Sequence, residues 1–144
     1  NAAVFAGKAP GVAKITDPDH NYAINVHQYF DPNFSGSSSP TQACIDSNVL
    51  PTKINIDQFN TWLTDNKLKA FVSEFGGNQT QSCVSDIKTF LHLVVANSKN
   101  YIGFTGWAAG SFSSTYPMYL GQVNGQEVPQ MSQGIDNYLT APKA

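Results

Sequence analysis

Apolar and β-branched residues fall into three short runs along the chain, each closed by proline, glycine or small polar residues. NYAINVHQYF (21–30), set between TDPDHN and DPNFSGSSSP, predicts a strand. KAFVSEF (69–75) predicts a second, ended by Gly76 and Gly77, and YIGFTGWAAG (101–110) predicts a third. The intervening pattern has a helical period. In INIDQFNTWLTDN (54–66), Ile56, Phe59 and Leu63 share one face, with Trp62 beside them as a further core candidate. CVSDIKTFLHLVVANS (83–98) carries a stripe of Val84, Ile87, Leu91 and Val94 or Val95. PQMSQGIDNYLT (129–140) predicts a last helix. Strands alternating with helices predict an α/β fold, with about three parallel strands joined by right-handed crossovers. In such folds functional groups collect at the C-terminal strand ends. That places His27, Tyr29, Glu74 and Trp107 on one side of the sheet. The SGSSSPTQ stretch (35–42) is a polar loop rather than a boundary, so 1–144 reads as a single unit.

Composition narrows the classes. Apolar residues make up 41%, enough for a packed core, while charged residues are only 12% and the net charge is −2. Nucleic-acid binding draws on a basic stripe, and none is present. No apolar run approaches the roughly 18–20 residues needed to span a bilayer, so no membrane partner is expected. The opening NAAVFAGKAP lacks the charged and apolar regions of an intact signal peptide. Abundant Ser, Thr, Asn and Gln with many aromatics suggest a secreted protein. Cys44 and Cys83 are consistent with one bridge or with two buried thiols, and their spacing does not decide between them. Asn33 and Asn78 each open a glycosylation sequon. His20, His27 and His92 show no metal-ligand spacing, so no zinc site and no cofactor are expected.

Glu74 stands out because the chain has only two glutamates, Glu74 and Glu127. A carboxylate at a strand end can act as nucleophile or base, and a nearby Tyr hydroxyl would favour its charged form. The alternative is a partly buried Glu satisfied by backbone amides of the Gly76-Gly77 turn. Both readings fit its position. A Trp or Tyr ring nearby would offer a face on which a sugar ring stacks.

NVHQYFD followed by SG and a Cys, AFVSEFGG, QSC and YIGFTGWAAGSF occur in that order. Together they resemble fungal cellulases of glycoside hydrolase family 5. The resemblance implies the C-terminal part of a (β/α)8 TIM barrel, and retaining endo-acting hydrolysis of a β-linked glucan or mannan. On it, AINVHQYF looks like the sixth strand, with His27 and Tyr29 beside the nucleophile. FVSEFGG looks like the seventh, with Glu74 as nucleophile. FTGWAAG looks like the eighth, with Trp107 lining the scissile-sugar subsite. Phe112 and Tyr116 would extend the cleft, and Cys44 and Cys83 would be bridged.

The same resemblance covers only the last three βα units of a barrel of about 300 residues. NAAVFAGKAPGVAKITDP (1–18) looks like the loop leaving the fifth strand. The family's acid/base Glu, in an Asn-Glu-Pro type motif, has no counterpart here, and Glu127 lies in VNGQEVPQ away from any matching motif. Three strands cannot close a barrel, so another polypeptide portion or a second copy is expected to cover the open edges. The leading expectation is a portion of a secreted retaining endo-β-1,4-glucanase. A non-catalytic carbohydrate-binding protein and a purely structural pairing role stand as alternatives.

Overall fold

The computed structural model describes residues 10–36 and 39–139. The first nine residues, the middle of the polar loop (37–38) and the last five lie outside the described residues. Half of the 1–18 reading therefore lies outside them, as does Thr140, the last residue of the predicted 129–140 helix. A 3-10 turn, Pro10–Lys14, opens the described chain.

Three strands form one parallel sheet in the order β1 (Ile24–Tyr29), β2 (Ala70–Gly76), β3 (Tyr101–Phe104). Helices α1 (Leu50–Ile54) and α2 (Ile56–Asp65) connect β1 to β2, and α3 (Gln81–Ala96) connects β2 to β3. The core lies between one sheet face and the helices. Ile24, Val26 and Phe30, then Ala70, Val72 and Phe75, pack in one cluster with Phe59, Leu63, Ile87, Phe90 and Leu91. The predicted stripes are the buried faces: Ile56, Phe59 and Leu63 on α2, and Val84, Ile87, Leu91 and Val94 on α3. Trp62 stacks on Phe59 with ring centroids 5.7 Å apart.

The other sheet face has no layer over it among the described residues. Asn25, His27 and Tyr29 alternate on β1 with the core-facing residues and are exposed or half-buried. A parallel sheet is ordinarily covered on both faces. The uncovered face and the free outer edges of β1 and β3 are those of an open sector of a barrel.

Three predicted boundaries differ from the structure. The 54–66 helix is broken at Asn55, which adopts φ 58°, ψ 38° and ends α1 while starting α2. Asn tolerates this left-handed conformation better than other residues with a Cβ. Ile54 therefore belongs to the preceding short helix. The 101–110 strand pairs only through Phe104. Beyond it the chain stays attached by single bonds, Thr105 N–H to the Val72 carbonyl and Trp107 N–H to the Phe75 carbonyl, both 2.8 Å. It then turns away through a cis Trp107–Ala108 peptide. The last helix is a π-helix, Gln130–Ile135, followed by a 3-10 turn, Asp136–Tyr138. Gly134 weakens α-helix propensity there, and packing against α3 holds the segment.

Candidate active site

Simple alternation along β2 puts Ala70, Val72 and Glu74 on the same, core-facing side. The structure does otherwise. In the β1–β2 ladder Val26 pairs with Val72 but His27 pairs with Glu74, so Ser73 is an extra residue on β2. A β-bulge of this kind re-aims the side chains that follow it. Phe75, not Glu74, returns to the core, where it is 1% exposed and packs on Phe90. Glu74 turns to the uncovered face and meets His27 and Tyr29 from β1.

There the Tyr29 hydroxyl donates to Glu74 Oε2 over 2.6 Å, and His27 Nδ1 lies 3.3 Å from the same oxygen. The His27 and Glu74 side chains are 33% and 25% exposed, so the carboxylate is held yet reachable. Glu74 Oε1 has no hydrogen-bond partner among the described residues. Burial, followed by the hydrogen bond to Glu74 and its charge, pushes the Tyr29 phenol well above its ordinary value. Tyr29 thus stays protonated and donates. A protonated His27 Nδ1 would add a charge-assisted bond. The other reading of Glu74, a carboxylate satisfied by the Gly76-Gly77 amides, does not describe this geometry. Both glycines are buried, and the partners of Glu74 are side chains of β1.

Gly76 ties this cluster to an aromatic one. A Cβ at Gly76 would lie 2.8 Å from the Trp107 carbonyl oxygen and 3.6 Å from Tyr29 Cε1. Only a residue without a side chain lets the end of β2 pass so close to both. Trp107 Nε1 donates to Tyr116 Oη over 3.1 Å. Phe112 stacks on Tyr116 at 4.9 Å and meets Trp107 edge-on at 5.4 Å. The loop bearing these rings closes on itself, with Ala108 N–H bonded to the Met118 carbonyl and Leu120 N–H to the Ala108 carbonyl. Tyr116 also reaches the Tyr29 environment, where it contributes to raising that phenol's pKa. The six residues singled out in the sequence are therefore brought to one end of the sheet as two neighbouring groups.

Cys44 and Cys83 form a disulfide with Cα atoms 4.9 Å apart. Beside it, Asn78 Nδ2 donates to the carbonyls of Ser39 and Gln42, both over 2.7 Å, and Asn78 Oδ1 accepts from Thr80. Bridge and amide together pin the loop after β1 to the start of α3. Glu127 lies elsewhere. It is exposed and hydrogen-bonded to Asp136, which raises its pKa.

Two contributors escaped the sequence reading. Asn78 appeared only as a sequon, yet it is fully buried. Asp31 appeared only as part of a loop boundary, yet it is 4% exposed and organises the turn over Tyr29. The Asp-Pro-Asn start and the Ser-Gly step at 35–36 were the available signal, since Asp commonly bonds backbone amides a few residues on.

An open βα sector with a carboxylate and aromatic rings at its strand ends defines the class of protein as a partial α/β barrel built around an acidic site. Residues 4–113 match the profile of Cellulase (glycosyl hydrolase family 5), and the chain belongs to that family. It is 34% identical over 118 residues to Endoglucanase EG-II of Hypocrea jecorina, covering 80% of this chain and 27% of that one. It is 36% identical over 138 residues to Endoglucanase 1 of Saitozyma flava, covering 94% and 36%. Among solved structures, an endo-β-1,4-glucanase from Xanthomonas axonopodis pv. citri superposes with a TM-score of 0.80 at 32% identity, covering 95% of this chain and 44% of that one. XacCel5A in complex with cellopentaose superposes at 0.75 and 31%, covering 87% and 39%. The fold is the C-terminal part of a TIM barrel, and the chain spans about a third of the length of the curated relatives it matches.

Proposed function

We propose that this chain carries the nucleophile-bearing portion of a secreted, retaining endo-β-1,4-glucanase, with Glu74 attacking the anomeric carbon of a β-linked glucan. The observation that carries the reading is the Glu74 carboxylate at a strand end, held through Oε2 by Tyr29 at 2.6 Å with His27 beside it, while Oε1 has no partner among the described residues. Such a carboxylate is oriented by its donors and accessible to an electrophile. Trp107, with Phe112 and Tyr116 behind it, supplies the apolar wall on which a glucose ring stacks. Attack forms a glycosyl ester on Glu74. Retaining hydrolysis then needs a second carboxyl about 5–5.5 Å away to protonate the leaving oxygen and activate water. Glu127 is engaged with Asp136, and Asp31 with Ser35 and Gly36, so neither fills that role. The acid/base comes from polypeptide on the other side of the cleft. The disulfide and the cellopentaose complex of a structural relative support an extracellular, glucan-directed enzyme.

The test uses a 2-deoxy-2-fluoro cellobioside with a dinitrophenolate leaving group, read by intact mass. That leaving group needs little protonation, so it reports the nucleophile alone. One added fluoro-cellobiosyl unit, absent in Glu74→Gln, is expected. A native, folded protein that never gains the adduct would sink the reading. A second reading, glycan binding without cleavage, is favoured by the lack of a second carboxyl in the Glu74 cluster among the described residues. Retention on cellulose with no adduct and no product would select it.

A further inference from the structure

We propose that Asp31 is a positioning residue for Glu74, acting through the Ser35–Gly36 turn and the ring of Tyr29. This rests on the role assigned to Glu74 above. Asp31 stands two residues past Tyr29, the last residue of β1, and its carboxylate is spent on the turn that comes next. Oδ2 accepts from the Ser35 amide at 2.9 Å and from the Ser35 hydroxyl at 2.8 Å. Oδ1 accepts from the Gly36 amide at 2.8 Å. The Phe34 amide bonds the Asp31 carbonyl at 2.8 Å and closes the turn from within. Burial works to raise the Asp31 carboxyl, but these donors outweigh it and hold the group below its ordinary value. It is therefore an anion, the form that grips amides most strongly.

The turn so formed lands on Tyr29. Gly36 has φ +72°, and a Cβ built on it would sit 3.0 Å from Tyr29 Cδ1, Cδ2 and Cε1 alike. Three equal distances place Gly36 over the ring face rather than at its edge. Gly76 approaches the same ring near Cε1. The two glycine backbones leave the ring little room to swing, and its hydroxyl stays at 2.6 Å from Glu74 Oε2. The Asp31 charge also disfavours tyrosinate, so the phenol keeps the proton it donates. The hydrogen bonds of the Asp31 carboxylate go to Ser35 and Gly36 and not to Glu74. It acts by closing a lid on the residue that aims the nucleophile.

The experiment compares the native-length protein with Asp31→Asn, Gly36→Ala, Tyr29→Phe and the Asp31→Asn/Tyr29→Phe double variant. Two readouts are taken: the 13Cζ resonance of Tyr29 across alkaline pH, and the rate of labelling by the fluoro-cellobioside. Asp31→Asn is expected to bring the Tyr29 titration down towards that of an ordinary tyrosine and to slow labelling about 10- to 100-fold. Gly36→Ala keeps the Asp31 charge and should shift Tyr29 in the same direction, which covers the case of a poorly folding Asp31 variant. In the Tyr29→Phe background, Asp31→Asn should slow labelling by no more than about twofold further. A merely structural Asp31 would lower stability equally in both backgrounds and leave the Tyr29 resonance in place. An unmoved Tyr29 resonance in both single variants, or rate losses that multiply independently, would overturn the proposal. If native protein never labels, the nucleophile reading fails, and the Tyr29 resonance still decides whether Asp31 controls that ring.

Discussion

Tyr29 and Glu74, 45 residues apart, share a 2.6 Å hydrogen bond because a one-residue bulge at Ser73 turns Glu74 out of the core and towards the end of β1. The pair is thus a product of strand register. Removing the donor leaves Glu74 with His27 alone and frees its rotation. Tyr29→Phe is expected to slow fluoro-glycoside labelling about 10- to 100-fold, in line with loss of one hydrogen bond to a charged group. Circular dichroism and thermal melting should show an intact fold, because the ring itself is kept.

Asp86 on α3 is fully buried, and neither of its carboxyl oxygens has a hydrogen-bond partner among the described residues. Burial, and then the charge of Asp46, push its pKa from 3.8 up to about 7. The folded chain therefore holds this proton more tightly than the unfolded chain does. The stabilisation is fully present below about pH 4 and is lost as pH rises through about 7, by up to about 4 kcal/mol. Melting temperature should fall across that window. Asp86→Asn should flatten the fall and raise the melting temperature at pH 8. An identical profile in the variant would contradict this.

Asn78 cannot be an acceptor of N-linked glycan in the folded protein, since its side-chain nitrogen is buried against the Ser39 and Gln42 carbonyls. Asn33 is exposed in the turn after β1. Protein secreted from a eukaryotic host should therefore carry any sequon glycan on Asn33 and none on Asn78, as read by peptide mapping. Asn78→Ala should cost about 1–3 kcal/mol in urea unfolding, because it removes a buried amide and its bonds to the Ser39 and Gln42 carbonyls.

The Cys44–Cys83 bridge spans a sequence separation of 39. Replacing both cysteines by serine should lower stability by about 4 kcal/mol in the chain-entropy description. The loop after β1 should also gain amide exchange, most of all between residues 39 and 44, where Asn78 and the bond from the Cys44 amide to Ser82 Oγ would remain to hold it. Hydrogen exchange followed by mass spectrometry reads this directly.

Much of the fold was legible because it is local. Glycine and proline punctuation bounded β1 and β2, and the three- and four-residue spacing of Ile56, Phe59 and Leu63 named the buried face of α2 before any contact was known. Asn55 was not legible as a helix break, because its left-handed conformation depends on how α1 and α2 pack. The end of β3 at Phe104 was likewise hidden, since Gly106, Trp107 and Ala108 continue the apolar pattern while the backbone leaves the sheet.

By itself, then, the sequence determined the alternation of strands and helices, the faces that enter the core, and the placing of Glu74, His27 and Tyr29 at strand ends. Periodicity and punctuation act over a few residues and survive in any one chain. Only the tertiary structure decided which face Glu74 presents, that Asn78 is a buried tether while Asn33 is exposed, and that Asp31 folds Gly36 onto Tyr29. Those outcomes depend on strand register and on backbone approaches between distant segments. A shift of one residue at Ser73 reverses the side on which the next residue stands, and no pattern of hydrophobic and polar positions records it.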